Sequence, residues 1–267
     1  MKVSVCYFVL NEEQFLAHSL RSIYAFADQI IVVEGAIELF WSCANPDGSS
    51  TDRTVGIIEG FPDPKEKIKL IQGKWRDKFE MQNKYLQHAT GDWVLVCAGD
   101  EAYRPEELEK LRLFALKHPY AVNIKFPFVH FIWDERHVIT CTRPMPNLRD
   151  WTSRHQRFFK NMKGLRYATS HSDVEDRNGR LLIFYPPSTQ LWFPEVHVYH
   201  YGYCKPAEEI RRKLEFYCER DKAHIKHGFK TPEEYIAAHP YFSKKGDPRT
   251  GEVILPNDAL LGVIPEW

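Results

Sequence analysis

The chain has 267 residues, of which 43% are hydrophobic and 27% are charged. These proportions are ordinary for a folded globular protein and exclude collagen-like, fibrous and wholly disordered chains. The 36 Lys and Arg residues balance 36 Asp and Glu residues. This neutral net charge argues against a protein that binds a phosphate polymer mainly through its overall charge. The six cysteines form no C-x-x-C pair, so they predict reduced thiols rather than a zinc ribbon or a disulfide framework.

The first residues predict a strand, a helix and a second strand. An apolar run over Val3–Leu10 indicates a buried strand, and apolar residues recur at helical spacing from Glu12 to Ala27. A second apolar run covers Gln29–Val33. The next stretch, 35–50, is irregular, and its end at Asp47–Asp52 suits a turn and the start of a helix that runs to about Glu59.

The same alternation continues to about residue 120. A strand is predicted over Lys67–Ile71, a helix over Asp77–Ala89, a strand over Trp93–Cys97 and a helix from Pro105 to about Lys117. Alternating strands and helices indicate an α/β fold with a mainly parallel central sheet flanked by helices.

The second half of the chain is less regular. Extended, aromatic-rich segments are predicted over 122–133, 155–160 and 196–201, followed by a helix over Pro206–Lys226. The tail has only one short helical candidate. We expect this half to pack onto the first rather than to form an independent domain.

No apolar stretch approaches the length of a membrane span. The apolar run at the start of the chain is too short for a signal peptide. The sequence therefore predicts a protein without a membrane span and a cytoplasmic location.

Acidic residues gather where three of the predicted strands end. The first strand runs into Asn11-Glu12-Glu13, the second ends at Glu34, and the strand Trp93–Cys97 delivers Asp100 and Glu101. Ligands of open parallel sheets bind at these carboxyl ends, and clustered carboxylates suit a divalent cation that bridges to phosphate oxygens. The alternative is that these acids only start the helices that follow.

Common phosphate-binding loops are absent from the sequence. There is no G-x-G-x-x-G, and Gly73-Lys74 is followed by Trp75 rather than Ser or Thr. Dehydrogenases and P-loop NTPases are therefore disfavoured.

Several motifs together resemble the family 2 glycosyltransferases. They are Asn11-Glu12-Glu13 after the first strand, Glu34-Gly35-Ala36 after the second, the run Asp47–Thr54, Asn83 before Ala89–Trp93, and Gly99-Asp100-Glu101. Each motif is weak alone, but their order matches as well. The resemblance covers about residues 3–104 well and the segments 157–173 and 197–203 more loosely.

The resemblance implies a GT-A-type fold, with a nucleotide-sugar-binding part over residues 1–120 and an acceptor-side, C-terminal helical part over 121–267 of the same domain. It implies an inverting transferase that uses a nucleotide-diphosphate sugar and a divalent metal, Mn²⁺ or Mg²⁺. Carried over by position, Glu13 and Glu34 lie near the nucleoside, Lys78 lies near the nucleotide, and Asn11, Asn83 and Asp100 complete the nucleotide-sugar site.

The resemblance also assigns the metal ligands. Asp100 matches the second acid of the Asp-x-Asp motif, and His200 in His-Tyr-Gly-Tyr matches the histidine that completes metal coordination. The first acid of the motif is replaced by Ala98. One carboxylate and one imidazole can still hold the ion if diphosphate and water supply its other ligands.

An inverting transfer needs a base that takes the proton of the acceptor hydroxyl. Asp173 is the candidate, because the segment 170–176 falls where relatives have a His followed by an acid; the alternative is an exposed polar turn. Arg157 is assigned to the catalytic site, where it meets phosphate or braces the base, or else it is a strand-edge arginine.

Two other functions stay open on the sequence. Ala98 allows a protein that binds a nucleotide sugar and has lost catalysis. The aromatic second half allows transfer of sugar to modified nucleic acid bases, although the neutral net charge disfavours a nucleic acid partner. The acceptor itself is not predicted.

Overall fold

The computed structural model describes residues 1–141, 156–169, 173–243 and 252–256. The chain forms two compact units. The first consists of Met1–Phe128 and Arg149–Val198, and the second of Val129–Leu148 and Tyr199–Trp267. The first 120 residues thus all belong to the first unit, whereas residues 121–267 contribute to both units.

The described elements alternate between strands and helices over the first half of the chain. The strands are β1 Val3–Val9, β2 Gln29–Glu34, β3 Ile68–Gln72, β4 Trp93–Cys97, β5 Glu101–Ala102, β6 Asn123–Lys125, β7 Phe128–Ile132, β8 Asp134–Cys141, β9 Phe158–Lys160, β10 Gln190–Trp192, β11 Val198–Tyr203 and β12 Glu252–Pro256. The α-helices are α1 Leu16–Tyr24, α2 Thr54–Glu59, α3 Lys78–His88, α4 Pro105–Lys117, α5 Ala207–Asp221, α6 Ala223–Lys226, α7 Pro232–Ala238 and α8 Pro240–Ser243.

The first unit is built on a seven-stranded sheet with the strand order β10-β6-β9-β4-β1-β2-β3. Strand β1 is parallel to β2 and β4, β2 is parallel to β3, and β10 is parallel to β6. Only β9 is antiparallel to its neighbours β4 and β6. The predicted α/β fold with a mainly parallel sheet is therefore confirmed.

Helices cover both faces of this sheet, because alternate residues of the central strands are apolar on both sides. Val5 and Tyr7 of β1 pack in one core with residues of α1, α2 and α4. Cys6 of the same strand packs in a second core with Met81 and Tyr85 of α3. A strand buried on both faces gives the nearly continuous apolar run seen in the sequence.

Several predicted elements differ from the structure. The helix predicted from Glu12 begins at Leu16, because the residues before it bond to another loop. The stretch 35–50 contains a 3-10 helix over Glu38–Cys43. The helix predicted over Pro206–Lys226 is broken at Lys222, whose φ of 53° is left-handed. The sequence does not predict the strands β5, β8, β10 and β12.

The second unit contains the strands β12, β8, β7 and β11 in that order, with β8 antiparallel to both β7 and β12. A small core forms where Ile210 and Leu214 of α5 meet Ile236 of α7. Within the residues that the structure describes, no helix combines the length and hydrophobicity needed to cross a bilayer.

Candidate functional site

Asn11 ties the end of β1 to the loop that follows β2. Its Oδ1 accepts the backbone N–H of Thr51 at 2.8 Å, and its Nδ2 donates to the carbonyl of Cys43 at 3.0 Å. Its own N–H donates to Ser50 Oγ at 2.9 Å. The φ of 53° at Asn11 is a conformation that Asn tolerates better than most residues. Asn11 thus fixes the relative position of two loops at the carboxyl edge of the sheet.

Glu34 is a fully buried carboxylate at the end of β2. Its Oε1 accepts both the backbone N–H and the hydroxyl of Ser50 at 2.7 Å each, and its Oε2 accepts from Gln72 Nε2 at 3.3 Å. A buried carboxylate needs such partners, because burial without hydrogen bonds carries a large free-energy cost. Glu34 therefore fixes the loop around Ser50 to the end of β2.

Glu13 extends the same network towards solvent. Its Oε2 accepts from the backbone N–H of Arg53 at 3.1 Å and from Arg53 Nε at 3.0 Å, while its own N–H donates to Asp52 Oδ2 at 3.0 Å. Asp52 Oδ1 in turn accepts the N–H of Thr54, the first residue of α2. Three predicted donor-site residues, Asn11, Glu13 and Glu34, thus lie in one connected cluster.

Asp100 is presented on a tight turn after β4. The N–H of Glu101 donates to the carbonyl of Ala98 at 3.1 Å, and the N–H of Ala98 donates back to Glu101 Oε2 at 3.0 Å. Asp100 itself is only 7% exposed. The turn lies against the loop after β1, since a Cβ on Gly99 would be 2.8 Å from the Cβ of Glu12. Asp100 therefore belongs to the same edge as the cluster around Asn11.

Arg157 lies beneath this turn and not at an exposed strand edge. Its guanidinium forms a buried ion pair with Glu101 Oε1 and lies 5.5 Å above the ring of Phe128. Burial raises the pKa of Glu101, the charge of Arg157 lowers it, and the charge of Asp100 raises it again, so that the pKa of Glu101 lies above its usual value. Through Glu101, Arg157 stabilises the turn that carries Asp100.

Lys78 is the first residue of α3. The helix is capped by Asp77, whose Oδ1 accepts the N–H of Glu80 at 2.9 Å. The ammonium of Lys78 lies 5.7 Å above the ring of Phe8 in β1. The predicted nucleotide ligand Lys78 is thus at the helix terminus that faces the end of β1.

Asn83 contacts the backbone of Tyr167, and the charge of Asp173 also acts on Tyr167. Asn83 donates from Nδ2 to the carbonyl of Tyr167 at 2.9 Å and accepts its N–H at 2.8 Å, so that the side chain anchors the backbone there. Burial is the main cause that raises the pKa of Tyr167, and the charge of half-buried Asp173 contributes to the same increase. The predicted segment 170–172 lies outside the described residues.

His200 lies on β11 in the second unit, where its Nδ1 is 2.8 Å from Nδ1 of His130 on the neighbouring strand β7. His197, by contrast, bonds within the first unit to Glu107, which accepts its N–H at 2.8 Å. Within the described parts of the chain, no group of three or more His, Cys, Asp or Glu side chains is arranged to hold a metal.

Sequence reasoning missed some residues that organise the site. The sequence indicates Glu101 only as an acid at a strand end, although an acid that directly follows a buried strand can itself be buried. The roles of Ser50 and Gln72 as partners of Glu34 depend on contacts between distant segments. His130 lies 70 residues before His200, and no local pattern connects the two.

The sheet of the first unit is mainly parallel, and polar residues gather at its carboxyl edge, where open α/β sheets bind their ligands. The chain matches the family described as glycosyl transferase family 2 over residues 4–171. It therefore belongs to this family, and its fold is the GT-A type.

The chain is also similar to individual proteins. It is 27% identical over 223 residues to a TPR repeat-containing protein of Synechococcus elongatus, covering 80% of this chain and 47% of the relative. It is 34% identical over 119 residues to the putative glycosyltransferase EpsE of Bacillus subtilis, covering 44% and 39%. The crystal structure of S. aureus TarS matches with a TM-score of 0.47 and 16% identity, covering 91% and 43%. The chain thus spans less than half the length of each.

Proposed function

We propose that the chain transfers a sugar from a nucleotide-diphosphate sugar to an acceptor hydroxyl, with inversion at the anomeric carbon. The observation that carries this proposal is the position of Asp100. Asp100 lies on a hydrogen-bonded turn at the carboxyl end of β4. This turn lies against the loop after β1, which is part of the cluster of Asn11, Glu13 and Glu34. In a family 2 chain, this edge is where the donor is expected to bind.

Most residues of the cluster affect donor binding by fixing the conformation of the loop over residues 47–54. Asn11 and Glu34 hold Ser50 and Thr51 in place, so that the loop over 47–54 needs little reordering when a ligand binds. Glu13 holds Arg53, whose side chain is 84% exposed, near the same loop. Lys78 supplies a positive charge for phosphate oxygens, and Asn83 positions the segment that leads to Asp173.

The ligand proposed for a divalent metal at this edge of the first unit is the carboxylate of Asp100. A carboxylate oxygen suits Mn²⁺ and Mg²⁺, and Mg²⁺ needs few protein ligands because it retains several waters. Asp100 fits this role, since it is a mostly buried carboxylate on a rigid turn. When bound, the ion would neutralise charge on the departing nucleoside diphosphate.

Asp173 is proposed as the base. It takes the proton from the acceptor hydroxyl while that oxygen attacks the anomeric carbon and the bond from this carbon to the diphosphate oxygen breaks. Attack from the face opposite the diphosphate inverts the configuration. Arg157 acts in this proposal as a positioning residue, because it contacts Glu101 and thereby the turn of Asp100.

The test measures the turnover of nucleotide-diphosphate sugars, by hydrolysis or transfer, in the presence of Mn²⁺. It compares the full chain with its Asp100→Asn variant and with a matched control variant. Asp92→Asn is the control, because Asp92 lies before the amino end of the same strand and accepts the N–H of Lys2. We expect Asp100→Asn to lose at least tenfold in turnover and Asp92→Asn to retain it. Equal turnover in both variants would remove Asp100 from the site.

A second candidate function is favoured by Ala98. Its methyl group cannot bind a metal, and its backbone N–H and carbonyl are both engaged in hydrogen bonds with Glu101. A chain that binds the donor without turning it over would be stabilised by the ligand and release no free sugar. The hydrolysis measurement separates these two functions directly.

A further inference from the structure

Two cavities adjoin each other along one side of α3 in the first unit. Their volumes are about 600 and 450 Å³, and Asn83 and Gln87 line both of them. Helix α3 and the residues just before it form one wall, and the segment 161–168 forms the other. Helix α3 has 11 residues and is therefore about 16 Å long. The two cavities together form an elongated groove along it, the α3 groove.

Positive side chains predominate in the α3 groove. Arg76 and Lys84 line one wall, and Lys163 and Arg166 line the other. Among the described residues that line the groove, Glu80 is the only carboxylate. The chain as a whole has no net charge. The excess of positive charge is therefore local, and it favours an anionic ligand.

The cations of the α3 groove are accessible to a ligand. Among the residues that the structure describes, Lys84 and Lys163 belong to no ion pair. Arg166 lies 3.5 Å from the carboxylate of Glu175, but its side chain is 57% exposed. Arg76 pairs with the carboxylate of the next residue and is 74% exposed. Exposed ion pairs are weak, so both arginines can bind a ligand as well.

Hydrogen bonds hold the two walls of the groove together. Asn83 donates to the carbonyl of Tyr167 at 2.9 Å and accepts its N–H at 2.8 Å. Just after α3, the carbonyls of Ala89 and Gly91 accept from Nδ2 of Asn161 at 3.1 and 2.9 Å. The walls therefore need little rearrangement when a ligand binds, which lowers the free-energy cost of binding.

The mixture of side chains indicates the class of ligand. The cations suit carboxylate or phosphate groups, whereas Glu80 and Gln87, both exposed, offer hydrogen bonds to neutral hydroxyls. The carboxylate of Glu80 would repel a ligand that is anionic along its whole length. Trp75 and Tyr167, which line the groove, are only 7% and 3% exposed and offer little ring surface for stacking nucleic acid bases. An acidic oligosaccharide combines anionic groups with many hydroxyls.

We propose that the α3 groove binds an acidic oligosaccharide, which serves as the acceptor of the transfer. The role as acceptor rests on the proposed function. The groove reaches Tyr167 and Ala168, and the charge of Asp173, the proposed base, acts on Tyr167. The oligosaccharide lies along α3, its acidic groups contact Lys84 and Lys163, and one end extends towards Asp173.

The first test measures binding in the absence of a donor. Calorimetry on the full chain compares two acidic oligosaccharides, hexagalacturonate and a hyaluronan hexasaccharide, with neutral maltohexaose, with tripolyphosphate and with single-stranded DNA. We expect at least one acidic oligosaccharide to bind about tenfold more tightly than the three comparison ligands, and more weakly as sodium chloride is raised. Binding of neither acidic oligosaccharide, or equal or tighter binding of any comparison ligand, would overturn the proposal.

The second test removes two positive charges from the groove. We expect Lys84→Gln combined with Lys163→Gln to weaken binding of the acidic oligosaccharide about tenfold or more, because hydrogen bonds to charged groups are lost. The matched control combines Lys110→Gln with Lys117→Gln in α4, which packs on the opposite face of the sheet. It should leave binding unchanged, and thermal denaturation checks that both variants fold. An equal loss in both variants would show that only the overall charge acts, and the proposal would be wrong.

The third test measures transfer to the same oligosaccharide, with a nucleotide-diphosphate sugar and Mn²⁺ present. We expect the variant with Lys84→Gln and Lys163→Gln to raise the KM for the oligosaccharide and to leave hydrolysis of the donor unchanged. Transfer that these two substitutions do not affect would refute the groove and leave the proposed function standing. Binding in the groove without turnover of any donor would refute the proposed function alone, so the two failures are distinguishable.

Discussion

The ion pair of Arg157 and Glu101 holds the turn that carries Asp100 in the candidate site. Glu101 is 1% exposed, and both of its carboxylate oxygens are used, one by Arg157 and one by the N–H of Ala98. A buried charge pair is a weak source of net stability but is costly to break, because the remaining charge stays buried. The pair therefore fixes the turn of Asp100 more than it stabilises the fold.

Removing Arg157 should accordingly be severe. We predict that Arg157→Met lowers the free energy of unfolding by about 3–5 kcal/mol, because Glu101 remains buried without its cation. Urea denaturation measures this. The control is Arg53→Ala, which removes the exposed ion pair with Glu13 and should cost about 1 kcal/mol or less. Similar small losses in both variants would contradict the role assigned to Arg157.

Gly35 marks a close approach of two loops at the candidate site. Its φ is +128°, and a Cβ there would lie 2.0 Å from the carbonyl oxygen of Gly73. We predict that Gly35→Ala lowers the free energy of unfolding by more than about 2 kcal/mol, since backbone must move. Gly179→Ala, with φ of +78° and no atom within 4 Å of the added Cβ, isolates the conformational cost of about 1 kcal/mol. Equal losses would show that the contact with Gly73 is unimportant.

At the scale of elements, α3 connects the sheet to the site and depends on its cap. Asp77 accepts the N–H of Glu80, and hydrogen bonds from Arg76 and Glu80 outweigh burial, so the pKa of Asp77 lies below its usual value. We predict that Asp77→Ala lowers the free energy of unfolding by about 1 kcal/mol and that Asp77→Ser restores most of it. An unchanged midpoint of urea denaturation for Asp77→Ala would contradict the capping role.

The regular elements of the first unit could be predicted because their apolar periodicity is local. The bounds of β4 and α4 are as the sequence predicts, and β1, β2 and α3 differ by a residue or two. The partners of Glu34 and Arg157 could not be predicted, since those contacts join residues 16 to 56 positions apart. The short strand β10 has too few residues for a periodic signal, and β8 continues an extended segment past Trp133.

At the scale of the whole molecule, several carboxylates are stabilised in their charged form. Burial raises the pKa of Asp63, but hydrogen bonds from Tyr24 and from the backbone of Ile68 and Lys67 outweigh burial, and the pKa lies below its usual value of 3.8. The pKa values of four other carboxyls are also lowered, namely Asp47, Asp77, Asp134 and Asp176.

These shifts predict how the stability depends on pH. A carboxyl with a lowered pKa in the native state contributes stability above its unfolded pKa and loses it as pH falls through the native value. We therefore expect the free energy of unfolding to fall steeply below about pH 4. Asp63→Asn should reduce that slope in urea denaturation series between pH 6 and pH 3. If the free energy of unfolding depends on pH equally in the original chain and in Asp63→Asn, the role of Asp63 is contradicted.

We propose that the carboxyl edge of the first unit binds a nucleotide-diphosphate sugar together with a divalent metal. The most direct measurement is a thermal-shift panel of UDP-, GDP-, CDP- and dTDP-sugars, each with and without Mn²⁺, on the full chain. We predict a higher melting temperature with one nucleotide, only when Mn²⁺ is present, and no such increase in Asp100→Asn. No increase with any donor, with or without the metal, would contradict the account.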